Sequence, residues 1–174
     1  MRNKSILVAI AILMMSGCAL PRTFGPYSGK VVDAENNAPI KGVAVAVWFS
    51  TKSPSMGGTV WKVADAVETL TDAKGEFTIP PHRIKLFKIM ASWDDECQVS
   101  VFKPGYGAYP GNLKTYCSWK EKHPFFIPEE EHVTYYLPKL LIFDDRRENY
   151  VITPGGKTDE KLPTLMKYMD EWAK

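Results

Sequence analysis

Between residues 43 and 49 the chain alternates Val43, Val45, Val47 and Phe49 with Ala44, Ala46 and Trp48. This is the period of two that sends alternate side chains to opposite faces of a strand. Both sets are apolar, which predicts a central, covered strand rather than one at an edge. From Gly29 onward the pattern is one of strands, with further signals at Thr59 to Leu70, Glu76 to Ile79, Ile84 to Ala91, Gln98 to Phe102 and Val133 to Leu137. Turn-forming residues separate them: Asp33-Ala34-Glu35-Asn36-Asn37-Ala38-Pro39 in one place, Thr71-Asp72-Ala73-Lys74-Gly75 in another. Gly75 can take the positive φ that closes a hairpin. Short strands between turn signals predict an all-β sandwich or barrel. At the end of the chain the period changes. Pro163 suits a first helical turn, and Leu165, Met166, Met169 and Trp172 fall on one helical face. A short amphipathic helix is expected there, with Asp170 and Glu171 unfavourable at its C-terminal end and packing needed to hold it.

The N-terminus follows a different logic. Arg2 and Lys4 precede an apolar run from Ile6 to Met15, and small residues lead to Cys18. That is the layout of a secretory signal, and the run is shorter than the ~20 residues that span a bilayer. Met15-Ser16-Gly17-Cys18 resembles the lipobox of bacterial lipoproteins. The resemblance implies that residues 1–17 are removed and that Cys18 becomes the lipidated N-terminus, anchoring the protein to a membrane. Ala19 follows, where Asp would signal inner-membrane retention, so the resemblance favours the outer membrane, facing the periplasm. Residues 18–28, broken by Pro21, Gly25 and Pro26, read as a tether of at most ~35 Å. Cleavage without lipid would leave a secreted protein instead.

Loss of residues 1–17 leaves 157, enough for one domain with a real core plus an extension. The 22 Lys and Arg against 20 Asp and Glu include Arg2 and Lys4, so the mature chain is near neutral and lacks the basic excess of a nucleic-acid binder. With Cys18 lipidated, Cys97 and Cys117 remain as a pair in an oxidising compartment, where a disulfide is the expected state. Closing that loop of about 20 residues would stabilise the fold by ~3 kcal/mol. The spacing is unlike the Cys-x-x-Cys of redox or metal pairs.

Gly29-Lys30-Val31-Val32-Asp33, Ala38-Pro39-Ile40-Lys41-Gly42-Val43-Ala44-Val45 and Thr69 through Ile79, with Gly75-Glu76-Phe77-Thr78-Ile79 at its end, together resemble the carboxypeptidase regulatory-like domain. Pro104-Gly105-Tyr106 is similar to the Gly-Tyr that closes it. The resemblance implies a transthyretin-like antiparallel β-sandwich over residues 29–106. Residues 107–174 form a loop-rich aromatic extension that completes the sandwich and carries the C-terminal helix.

The chemistry of the side chains is sparse. Among the aromatics of the extension, Tyr109, Trp119 and Phe125 are the candidates for a ligand platform, since flat rings dock sugars and peptides. The competing role for these rings is a small core between extension and sandwich. His82, His123 and His132 lack the paired spacing of a zinc site, so no metal or other cofactor is expected. Asp33 with Glu35, Asp94-Asp95-Glu96 and Asp144-Asp145 lack the alternating oxygen ligands of a calcium loop. No Gly-x-Ser-x-Gly elbow presents a nucleophile. The C-terminal Tyr-Arg-Gly-Ser of hydroxyisourate hydrolases, the Tyr and His ligands of intradiol dioxygenases and the carboxypeptidase His-x-x-Glu are missing. The expected function is a non-catalytic envelope lipoprotein, a structural or binding module for another envelope protein or a glycan. The alternative is an envelope metal-dependent hydrolase using His123, His132 and nearby Glu.

Overall fold

The strand with two apolar faces runs through the middle of a five-stranded sheet. The structure, a computed structural model, describes residues 18–119, 125–140 and 148–173. The expected signal segment and its basic residues, His123 and the Asp144-Asp145 pair lie outside the described residues. The N-terminal elements are β1 (Cys18–Ala19), β2 (Arg22–Phe24), β3 (Tyr27–Asp33), β4 (Ala44–Ser55), β5 (Gly58–Leu70), β6 (Glu76–Ile79) and β7 (His82–Ile84). They are followed by β8 (Lys88–Ile89), β9 (Ser92–Trp93), β10 (Cys97–Phe102), β11 (Tyr116–Cys117), β12 (Phe126–Ile127) and β13 (His132–Leu137). A 3-10 turn at Gly156–Lys161 leads into helix α1 (Pro163–Trp172).

One sheet has the order β12-β10-β4-β5, with β9 paired to the far half of β4; the other has the order β11-β13-β3-β6. Pairing is antiparallel except between β13 and β3, which run parallel. Val45, Val47 and Phe49 of the first sheet and Val31, Phe77, Val133 and Tyr135 of the second belong to one buried cluster, so the two sheets share a core. Within the second sheet, Gly29 of β3 is a position that has no room for a side chain. A Cβ there would stand 2.2 Å from the Val133 carbonyl oxygen and 2.7 Å from the Phe77 ring.

The other apolar face of β4 is covered by α1. Ala44, Ala46, Trp48, Ala66, Phe102, Leu162 and Leu165 form a second buried cluster, with Met166, Tyr168 and Trp172 packed on it. The alanines leave room for the helix to approach the sheet. Its N-cap residue, Leu162, has no side-chain acceptor. The Glu68 carboxylate of β5 replaces one, accepting from Thr164 N at 2.8 Å and Leu165 N at 3.0 Å. A carboxylate on these orphan N–H groups satisfies them and suits the positive end of the helix dipole.

Several expectations change. Residues 18–28 are not a free tether: β1 pairs with β8, β2 pairs with β7, and Ala19, Phe24 and Tyr27 are wholly buried. Apolar side chains in that segment find a core, which the Pro and Gly breaks do not prevent. The single strand expected from Ile84 to Ala91 is two short ones, each following the N-terminal segment in register. The expected Cys97–Cys117 bridge is not made, and both thiols are free. They lie on strands of different sheets, and each sulfur is engaged by its own tyrosine, Tyr27 on Cys97 at 2.9 Å and Tyr109 on Cys117 at 3.2 Å. No helix of the described residues is long and apolar enough to cross a membrane.

Candidate functional site

β4 and β5 are longer than the strands beside them, and their far halves leave the ground that α1 covers. Beyond a bulge at Phe49/Ser50 the two strands stay paired out to Ser55 and Gly58, forming a hairpin with Met56 fully exposed at its tip. The register places Ser50 beside Val63 and Lys52 beside Trp61. On the other side Trp48 pairs with Gln98, and Gln98 with Phe126. A groove of about 480 Å³ runs across this row, lined by Ser50, Lys52, Trp61, Val63, Gln98 and Phe126, with Asp94 and Glu96 at its rim.

Each wall has a cause. Trp61 is 61 % exposed because the hairpin outruns the layer that would bury it. The Trp48 indole N–H donates to the Gln98 side-chain carbonyl, so the amide NH₂ is the end Gln98 offers to the groove. Asp94 donates its backbone N–H to the Ser50 carbonyl at 2.9 Å, and its carboxylate lies 4.0 Å from the Lys52 ammonium. Asp95, next along, turns to Arg22 at 2.6 Å, whose hydrogen bond holds the Asp95 carboxyl below the usual carboxylate range. The result is an aromatic wall beside a cation, two carboxylates and an amide. Apolar area with a polar rim suits a ligand that has an apolar face and hydroxyl or amide edges.

The aromatic residues singled out from sequence do not form an exposed platform, for Tyr109 and Trp119 pack on the core, linked through the Cys117 sulfur. Tyr109 is 2 % exposed and cannot offer a ring to a ligand. It packs edge-on against Tyr135 at 4.9 Å between centroids, and burial, then its bond to Cys117, push its hydroxyl pKa up. Trp119 is half-buried against the core, while Phe125 is exposed with its carbonyl accepting from Val99 N. The groove was missed because its residues come from four separate stretches. The length of the pattern from Thr59 to Leu70, well beyond a usual strand, was its one signal in the sequence.

The two described histidines have structural partners. His132 lies 2.9 Å from Glu76, whereas Glu129 accepts from Tyr27 at 3.2 Å and from the Gly25 N–H at 3.2 Å. No group of three or more His, Cys, Asp or Glu among the described residues is placed to hold a metal. His82 stacks on Phe49 at 5.4 Å and bonds Asp65 at 3.1 Å. Asp65 also takes Lys161 at 2.5 Å, tying the 3-10 turn to β5. Burial alone would raise the Asp65 carboxyl, but the bonds from Lys161 and His82 outweigh it and hold it below the usual range. The Asp33 carboxylate is a turn-former too, buried and accepting from Glu35 N at 2.9 Å.

Comparison with known protein families, with curated proteins and with solved structures finds no match.

Proposed function

We propose that this chain is a non-catalytic lipoprotein of the bacterial cell envelope, anchored at Cys18, whose transthyretin-like sandwich presents the Trp61 groove to an envelope glycan. Two sheets on a shared core, with the Gly75 turn leading into β6 beside β3, support the sandwich reading. The N-terminal pattern supports the address, on the periplasmic face of the outer membrane. The observation that carries the ligand class is the exposed Trp61 indole set beside Lys52, Asp94, Glu96 and Gln98. Sugar rings bury their apolar C–H faces on such an indole, and their hydroxyls bond the flanking carboxylates and amide.

The test is a calorimetric titration of the purified mature protein with soluble glycan fragments released from cell-wall sacculi. Saturable binding is expected, weakened about tenfold by Trp61→Ala, the ~1.4 kcal/mol of one lost ring contact. Unchanged binding in Trp61→Ala would move the ligand elsewhere, and no binding by the wild type would remove the glycan reading.

A further inference from the structure

The ribbon that holds the N-terminus has the surface of a membrane-seating element. Arg83-Ile84-Lys85-Leu86-Phe87-Lys88-Ile89-Met90 contains three cations and no acid. Ile84 and Leu86 turn toward the core, Arg83, Lys85, Phe87, Ile89 and Met90 face out, and Lys88 is half-buried. Phe87 is 65 %, Ile89 66 % and Met90 69 % exposed. Met90 also has φ 57°, a left-handed conformation costly for a side chain of its kind, and it holds this conformation while presenting thioether to solvent. Register adds the decisive element. Cys18 stands opposite Ile89 and Ala19 opposite Lys88, and the exposed Leu20 and Phe87 flank this pairing, one on each chain segment. The ribbon is not a loose end: the Trp93 indole N–H holds the Leu20 carbonyl at 2.6 Å, and Arg22 is bridged to Asp95.

We infer that this patch lies on the bilayer, with Leu20, Phe87, Ile89 and Met90 entering the boundary between headgroups and acyl chains beside the lipid on Cys18. Arg83 and Lys85, both exposed, meet the phosphates of anionic lipids. The inference rests on the lipoprotein reading of Cys18. Its occupant is a lipid surface because the patch begins at the residue that reading acylates, and because apolar side chains interleaved with cations match the headgroup boundary. With residues 18–28 folded onto the domain, the anchor has no slack, so the body sits directly on its membrane in one orientation.

The experiment uses the protein extracted with its own N-terminus and placed in vesicles of phosphatidylethanolamine and phosphatidylglycerol carrying a diazirine on the lipid acyl chain. Photolabelled residues are mapped by mass spectrometry, and the same digest reports whether Cys18 is acylated. The hairpin residues Met56, Val60 and Trp61, equally apolar and exposed, are the internal control. Labelling of Leu20 and residues 87–90 at least about tenfold above the hairpin is the expected result. It should fall to the hairpin's level in Phe87→Ser/Ile89→Ser/Met90→Ser, whose changes are all on the surface. Acylated Cys18 with equal labelling of the two patches, or with none at 87–90, overturns the seating surface and leaves the anchor standing. An unacylated N-terminus defeats the lipoprotein reading itself; lipid labelling confined to 87–90 would then still support the surface, and its absence would overturn it. Protection of 83–90 that rises with protein concentration in the absence of vesicles would assign the patch to a second copy and overturn the inference.

Discussion

Cys97 shows how a single residue's setting decides its chemistry. Burial pushes its thiol up to about 12, against which the hydrogen bond from Tyr27 works only partly. The folded state therefore holds this proton more tightly than the unfolded chain does. The stabilisation is fully present below about pH 9, the range of an unfolded cysteine, and is lost as pH rises toward 12. Both Cys97 and Cys117 should titrate in the denatured protein. In the native protein at pH 8, alkylation followed by mass spectrometry should modify Cys117 first, with Cys97 slow because it is both buried and protonated. Recovery of a Cys97–Cys117 bridged peptide would contradict the structure at this point. Gly29 makes the opposite demand. Gly29→Ala forces a methyl against the Val133 carbonyl and the Phe77 ring, and should cost about 2 kcal/mol or more in urea unfolding. That Gly29 lies in a strand was legible from its neighbours, although the strand begins two residues earlier, at Tyr27. That it must be glycine was not, because the reason lies 104 residues away on β13.

Among elements, those legible from local pattern are the ones whose neighbours do not matter. The alternation at β4, the Gly75 turn, β6 and the Pro163 start of α1 all follow from adjacent residues. The N-terminal ribbon was illegible because Pro21, Gly25 and Pro26 indicate breaks, while its order comes from pairing with a distant strand. Helix α1 was predicted from its own period, but its start depends on Glu68, 95 residues before Pro163. Glu68→Ala should remove the cap and cost ~1 kcal/mol, typical of a lost N-cap acceptor. The change should show first as faster hydrogen exchange at Thr164 and Leu165, with the two-sheet core unaffected. Equal loosening of core and helix would mean that the helix is part of a single cooperative unit rather than a docked cover.

At the scale of the molecule, α1 and the hairpin divide one sheet face between them. Where α1 lies, small side chains and Leu165 make a sealed layer; where it ends, the same face opens into the Trp61 groove. The all-β class of the fold was legible in the sequence. The site it left hidden, since a groove across four strands exists only after their register is set. The bulge at Phe49/Ser50 shifts that register just where the groove begins.

The most direct measurement of the central claim is chemical crosslinking in intact cells followed by separate isolation of membranes and cell-wall sacculi, comparing wild type, Cys18→Ala and Trp61→Ala. The account predicts wild type in both fractions, Cys18→Ala lost from the membranes, and Trp61→Ala kept in the membranes but depleted from the sacculi. Retention on sacculi that ignores Trp61, or a Cys18→Ala protein that stays with the membranes, would contradict it.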